Sequence, residues 1–268
     1  MSRTMMGRSD TNRLGVLLRR VNLPGIAVIC LLIVVWQIYS RTLGAHFDSI
    51  ASSSQILVAI KNLALGGPLA QQLAHTTSVA LIGWAIASAL GFVIGLPIGL
   101  WRPAWTYTMA SIDVLRSIPS ISFVAIAVLL FGFSADTEMV IVVYVSLWPL
   151  LMGTLGGIRT VPGDLLDVAR SFKLSRTATV FKIVMPAALP SIIVGLRLSL
   201  TLSIALAVVA EMVGNPDGLG FGMVMAQQAI KPADAFAYLV VIGILGWGLN
   251  AIFVFAVRRL FRGHGSIV

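Results

Sequence analysis

The chain has 268 residues, of which 58% are hydrophobic and 11% are charged, and its formal net charge is +9. A soluble domain cannot bury so large an apolar fraction, and the apolar residues form runs long enough to cross a bilayer. The basic residues are scattered among the loops between these runs, which argues against a nucleic-acid-binding surface. Cys30 is the only cysteine, so the chain forms no internal disulfide and no cysteine metal site.

Six apolar runs predict six transmembrane helices. In chain order they cover residues 24–39, 73–100, 118–133, 137–158, 186–213 and 236–257. The first run follows an arginine-rich segment and is similar to a signal peptide, but it is long and five more runs follow, which favours a retained membrane anchor. Between the first two runs, residues 54–65 are expected to form a short interfacial helix.

The basic residues predict the orientation of the chain, because Lys and Arg near the ends of spans are retained on the cytoplasmic side. With the amino terminus inside, the inner segments contain fifteen basic residues and the outer segments contain three. We therefore predict an all-α, polytopic membrane protein. It has six transmembrane helices, both termini in the cytoplasm, and a cytoplasmic helix between helices four and five.

Two predicted spans carry small or polar residues at every fourth position, which places these residues on one helix face. In the second span the small residues are Gly83, Ala87, Gly91, Gly95 and Gly99. This pattern favours close helix packing. In the fifth span the repeated residues are Ser191, Gly195, Ser199, Ser203, Ala207 and Glu211. We expect this second face to contact protein or water.

The segment of residues 160–186 between spans four and five is polar and has a helical pattern. Pro162 suits a first helical position, and Asp164 and Asp167 place negative charge where the helix dipole favours it. Ser175 is a candidate cap for a second short helix that ends near Met185. A helical hairpin of this kind presents an amphipathic helix to a groove on a partner.

The same segment resembles the coupling loop of the permease subunits of ATP-binding-cassette importers with the type I fold. In that family the loop reads Glu-Ala-Ala, three residues, Gly, nine residues, then Ile-x-Leu-Pro. Here Asp167 begins the motif, Lys173 occupies the Gly position and Pro186 ends it. Lys173 implies that the turn forms without a residue that readily adopts positive φ.

The resemblance extends over residues 76–260. The run PAALPSIIVGLRLSLTLSIALAVVAEM at residues 186–212, the GLG at residues 218–220 and the segment LRSIPSISF at residues 115–123 are similar to permeases for sulfonates, taurine, nitrate and bicarbonate. This implies a small anionic substrate. A neutral or cationic vitamin precursor is the alternative substrate, and a secondary transporter is a less favoured alternative function.

The resemblance also implies functional residues. The ATPase-coupling surface is assigned to Asp164, Leu165, Asp167, Val168, Ala169, Arg170, Phe172 and Lys173. The translocation path is assigned to Arg116, Pro119, Arg197, Ser199, Ser203 and Glu211. Arg197 is expected to contact a structural partner or the solute. Glu211 is expected to act in a gate, to dock a binding protein or to be satisfied by polar packing. The histidines are considered isolated, and no metal site is expected.

The implied assembly contains a second permease copy, two ATP-binding subunits and an extracytoplasmic solute-binding protein in the bacterial inner membrane. The chain lacks a phosphate-binding GxxxxGK[ST] loop, so ATP and Mg are expected in the partner ATPase and this chain is expected to be non-catalytic, with no cofactor of its own. Its organisation is predicted as a cytoplasmic segment (1–20), a first helix with an outer loop (21–72), a permease core (73–260) and a cytoplasmic tail (261–268).

Overall fold

The computed structural model describes residues 23–42, 49–215 and 217–261, and every regular element in these residues is a helix. The predicted amino-terminal segment and nearly all of the carboxy-terminal tail lie outside the described residues. The helices have the following bounds: α1 Leu23–Thr42, α2 Ser53–Gly66, α3 Leu69–Leu100, α4 Arg102–Ser117, α5 Ser120–Phe131, α6 Ala135–Arg159, α7 Gly163–Ser171, α8 Arg176–Thr179, α9 Met185–Gly214, α10 Leu219–Gln228 and α11 Pro232–Leu260.

Within the described residues, five helical segments are long and apolar enough to cross a membrane, and the number becomes six if the bent pair α4 and α5 forms one span. The chain is therefore an all-α polytopic membrane protein. The helix expected near residues 54–65 is α2, which begins with a capping box between Ser52 and Gln55. Helices α1 and α11 have little buried surface, so they present apolar faces to lipid or to another chain.

Helices α3, α6 and α9 form the centre of the bundle, because small residues let their backbones approach closely. The small-residue face of α3 is buried along its whole length and packs on α6. Between α6 and α9, a Cβ on Gly195 would lie 2.9 Å from the carbonyl oxygen of Pro149. The packing predicted for the second span is thus confirmed.

The repeated polar face of α9 also contacts protein. Ser191 Oγ donates a hydrogen bond to the Gly153 carbonyl at 2.9 Å, and Ser199 Oγ donates to the Ser146 carbonyl at 2.6 Å. These bonds to α6 satisfy hydroxyl groups that would be costly to expose to lipid. The prediction that this face avoids lipid is confirmed.

The third predicted span is wrong in its bounds. Of residues 118–133 only those of α5 are helical, and α5 forms a bent pair with the preceding α4, with an angle of 81° between the two axes. Ile118 and Pro119 form the break, and both have extended backbone, with ψ of 122°. Proline disfavours helical backbone in the residue before it, so the helix cannot continue through Ile118. At about 1.5 Å per residue, α5 alone is too short to cross the hydrocarbon core.

Candidate functional site

The hairpin, defined as Gly163–Ser171 with the turn and Arg176–Thr179 that follow, projects from one end of the bundle. Helix α7 begins after Pro162. This proline was predicted to be the first helical residue, but it is the N-cap. Leu166 and Val161 pack against the core cluster that contains Ile158 and Val184. This apolar contact holds one side of α7 against the bundle.

The opposite side of α7 carries an exposed apolar row. Leu165, Val168 and Phe172 are 40%, 47% and 75% exposed, and their spacing places them on one helix face. Asp167 and Arg170, on a different face of α7, form an ion pair of 2.7 Å and are also exposed. Ala169 is only 2% exposed and faces the bundle. Its assignment to the docking surface is therefore wrong, because neighbouring residues of the same chain cover it.

Lys173 makes the turn after α7 by adopting a φ of 51°, which is the left-handed conformation usually taken by glycine. Its N–H bonds to the Arg170 carbonyl at 2.9 Å, and the N–H of Leu174 bonds to the Ala169 carbonyl at 3.0 Å. This pair of bonds is a Schellman motif. The turn thus forms without glycine: lysine itself takes the positive φ, and the two bonds offset the local strain of that conformation.

The second helix of the hairpin is capped by Ser175, whose Oγ accepts a hydrogen bond from the Ala178 N–H at 3.2 Å, as predicted. It does not end near Met185. A π-helical turn, Val180–Val184, joins α8 to α9 without a break, and the Met185 N–H bonds to the Val180 carbonyl. The hairpin is thus joined to a central helix by continuous helical backbone.

The opposite end of the bundle contains the acid cluster, defined as His75, Thr76, Glu138, Glu211 and Asn215. Glu138 is 1% exposed, and its two oxygens contact His75 Nε2 at 2.9 Å and the Asn215 side-chain amide. Asn215 Nδ2 also lies 3.4 Å from His75 Nε2. The cluster joins α3, α6 and the end of α9.

Glu211 is fully buried in the same cluster. Its Oε1 accepts a hydrogen bond from Thr76 Oγ1 at 2.7 Å, and its Oε2 accepts one from the Gly220 N–H at 2.8 Å. Thr76 Oγ1 in turn accepts from the Leu219 N–H at 3.0 Å. Gly218 has a φ of 101°, and a Cβ on this residue would overlap the Glu211 carboxyl group. The GLG segment therefore lets the backbone approach the carboxylate.

Of the alternatives for Glu211, satisfied polar packing describes what the structure shows. The interpretation of His75 as isolated is wrong, because it contacts Glu138 across 63 residues of sequence. His46 and His264 lie outside the described residues. A spacing of four residues relates side chains within one helix and cannot reveal a partner on another helix. The only sequence signals for the contact between His75 and Glu138 were therefore a histidine and a glutamate near the ends of two apolar runs.

One nitrogen of His75 and one oxygen each of Glu138 and Glu211 lie within 4.8 Å of one another, which is the arrangement of a possible cation site. All four carboxylate oxygens already contact a donor group within the protein. A bound cation would have to displace some of these contacts. The observed arrangement is a hydrogen-bond network that ties helices together, and the absence of a metal stays a prediction.

The path candidates are dispersed. Arg197 is exposed and its Nε donates to Asn250 Oδ1 of α11 at 2.9 Å, which is a contact with a carbonyl oxygen. Arg116 is exposed and paired with Asp113 at 2.8 Å, close to the bend that contains Pro119. Ser199 and Ser203 are fully buried, with Ser203 bonded to its own helix. The path assignment stays a prediction.

Known proteins with a similar sequence or fold agree with this architecture. Residues 87–264 match the family model described as "Binding-protein-dependent transport system inner membrane component". The nitrate import permease protein NrtB of Synechocystis is 30% identical to this chain, in a match that covers 87% of this chain and 86% of the NrtB sequence. The bicarbonate transport system permease protein CmpB of Synechococcus elongatus is 30% identical over 72% of this chain and 69% of its own.

A solved structure of the MetNI methionine ABC transporter, in an inward-facing conformation, includes a chain with the same fold. The TM-score is 0.59 at 18% identity, and the match covers 74% of this chain and 95% of that one. Such a likeness shows the fold alone, whereas the sequence matches show the family and its place in the inner membrane. The chain belongs to the binding-protein-dependent transport system inner membrane components, as the membrane-spanning permease subunit of an ATP-binding-cassette importer.

Proposed function

We propose that the hairpin couples this permease to a separate ATPase, and that the chain itself is non-catalytic. The single observation that carries this proposal is the exposed row of Leu165, Val168 and Phe172 on α7. An exposed apolar face on an amphipathic helix at the end of a membrane bundle fits a groove on a soluble partner. Because the hairpin continues into α9 without a break, movement of the ATPase subunit would be transmitted to the bundle.

We infer that the hairpin and both chain termini lie in the cytoplasm, as the distribution of basic residues predicts. The complete transporter would contain two permease copies, two ATP-binding subunits and an extracytoplasmic solute-binding protein. ATP and Mg would bind in the ATPase subunits, and this chain would hold no cofactor. The acid cluster would then lie at the outer end of the bundle.

The exposed Arg197 supports a second permease copy beside this one. Its position in α9 is roughly 16 Å past Pro186, and a guanidinium group at such depth is costly in lipid. Asn250 contacts only its Nε, so the rest of the charged group requires water or protein. A water-filled path between two copies, with Arg197 at its wall, would satisfy that requirement.

We propose a small anion, such as a sulfonate, taurine, nitrate or a similar compound, as the substrate. Similarity to permeases named for nitrate and bicarbonate supports this class, and Arg197 supplies a positive charge. Uptake assays on cells that express the complete transporter would test it. Competition by a neutral or cationic vitamin precursor, with no competition by anions, would contradict the proposal.

Replacement of one exposed hairpin residue tests the coupling. Phe172→Asp is expected to abolish co-purification of the ATPase subunit, because it places a charge at the most exposed member of the apolar row. Thr177→Asp is the matched control, since it adds the same charge to an exposed position of the hairpin outside the apolar row. Thermal unfolding of the purified permease should be the same for both variants. Undiminished co-purification of Phe172→Asp would contradict the proposal.

A further inference from the structure

A cleft of about 910 Å³ lies between the hairpin and the end of the bundle. One wall contains the ends of α3 and α6 and the start of α4. The other wall contains α7, α8 and the π-helical turn. Four arginines line the cleft: Arg102, Arg159, Arg170 and Arg176. Among the described residues that line it there is no Asp or Glu, so the charged side chains of the lining are all positive.

Two of these arginines have charged or aromatic partners and two do not. Arg170 is paired with Asp167, and the Arg159 guanidinium lies 4.9 Å from the ring centre of Trp105. No ion pair joins Arg102 or Arg176 to any acidic group in the described part of the chain. Two free guanidinium groups facing one cleft are suited to bind a phosphate, because the planar fork matches phosphate oxygens.

The remaining walls of the cleft are apolar and indicate what kind of anion fits. They include Leu100, Ile158, Val161, Leu166 and Val184. The cleft also lies where the apolar helices α3 and α6 end, and Trp101 and Trp105 follow α3 immediately. Tryptophan is enriched at the headgroup level of a bilayer. A ligand that combines a phosphate with an apolar body therefore matches the cleft better than a free ion does.

We propose that this cleft binds the headgroup of an anionic phospholipid. The phosphate contacts Arg102 on the bundle and Arg176 on the hairpin, and the start of the acyl chains lies along the aliphatic wall. Basic pockets between membrane helices bind such headgroups in the same way. Because its two basic contacts belong to the two opposite walls, the lipid bridges the hairpin to the bundle and restrains hairpin movement. Its effect on transport rests on the proposed function, whereas its binding does not.

Lipid retention tests the binding without reference to transport. The full chain, co-expressed with its ATPase, is purified in a neutral detergent with phosphatidylglycerol or phosphatidylcholine, and bound lipid is measured by native mass spectrometry. The double variant Arg102→Gln/Arg176→Gln is expected to weaken retention of phosphatidylglycerol about fivefold for each arginine removed. The double variant Arg258→Gln/Arg259→Gln, whose arginines are in the last turn of α11 and outside the cleft, should match the original chain.

Three outcomes would overturn the proposal: equal retention of phosphatidylglycerol by both double variants, arginine-dependent binding of inorganic phosphate without binding of the lipid, and retention of the lipid by the permease purified alone but not by its complex with the ATPase. Loss of the lipid in the complex would mean that Arg102 and Arg176 bind acidic side chains of the ATPase. A second measurement avoids dependence on the variants. Hydrogen exchange of Gly163–Ser171 in the unaltered complex should be slower in nanodiscs with phosphatidylglycerol than with phosphatidylcholine alone, and equal exchange rates would contradict the bridge.

Discussion

The two ends of the bundle differ in whether their charged side chains are buried and in what these side chains contact. At the acid cluster, Glu138 and Glu211 are buried and every carboxylate oxygen contacts a donor group on another element or loop. At the hairpin, Asp167 and Arg170 are exposed and pair only with each other, within one helix. A buried network of this kind rigidifies a structure, whereas an exposed pair contributes little to its stability. The comparison indicates that one end holds the helices together and the other is available to a partner.

The largest effect that would sharpen this comparison is expected at Gly218. Gly218→Ala should destabilise the permease by several kcal/mol, because the new Cβ overlaps the Glu211 carboxyl group and the backbone has a positive φ. Gly132→Ala is the matched control, since Gly132 also has a positive φ, of 70°, but has no atom within 4 Å of a new Cβ. Thermal unfolding in one detergent should show a much smaller loss for the control. Equal losses would mean that backbone strain alone is responsible.

Glu211→Ala is expected to have the next largest effect, a destabilisation of about 3 kcal/mol, because it leaves the Gly220 N–H and the Thr76 hydroxyl without their acceptor in a buried site. Asp136→Ala provides the control for loss of a carboxylate, since Asp136 is exposed in the first turn of α6. Thermal unfolding of the two variants under the same conditions measures the difference. A Glu211→Ala protein as stable as Asp136→Ala would show that the cluster does not tie the helices together.

A smaller effect is expected at the exposed end. Ser175→Ala should destabilise the hairpin by about 1 kcal/mol, because the Ala178 N–H loses the side-chain acceptor that caps α8. Hydrogen exchange of residues 176–179 should become faster while exchange in α3 and α6 is unchanged. Faster exchange throughout the bundle would contradict the separation between the two ends.

The smallest effect is expected at Lys173. Lys173→Gly should stabilise the hairpin by about 0.5–1 kcal/mol, because glycine adopts the observed φ of 51° without steric cost. Hydrogen exchange at the end of α7 should become slower, and ATPase co-purification should be unchanged. Faster exchange at this turn would show that the lysine side chain contributes a contact that outweighs its backbone strain.

Much of the helical organisation was predictable because lipid imposes strict rules on a chain that crosses it. The length of the apolar runs predicted α3, α6, α9 and α11. The recurrence of small residues at every fourth position predicted which helix faces pack against other helices. The length of the apolar runs did not predict that α4 precedes α5 at an angle, because hydropathy measures composition and does not respond to the backbone restriction at Pro119. Sequence also predicted the hairpin and its Ser175 cap, since both depend on residues close together in the chain.

Partners distant in sequence could not be predicted. Glu138 was absent from the predicted site because nothing within α6 indicates that His75 lies beside it. Ala169 was assigned to a docking surface because its spacing allows either face of α7, and only the packing of the hairpin shows which face is covered. The cleft with Arg102 and Arg176 likewise requires two helices that are far apart in sequence to begin near one place.

The sequence by itself determined that the chain resides in lipid, that it crosses the membrane as apolar helices, and that a polar hairpin interrupts them. Desolvation of the backbone and local hydrogen bonding depend on neighbouring residues, so these features can be read from the sequence. Only the tertiary structure decided that two carboxylates and a histidine share one buried network, that α7 exposes Phe172 and covers Ala169, and that four arginines face one cleft. These features arise from contacts between distant segments, and such contacts exist only once the helices are packed.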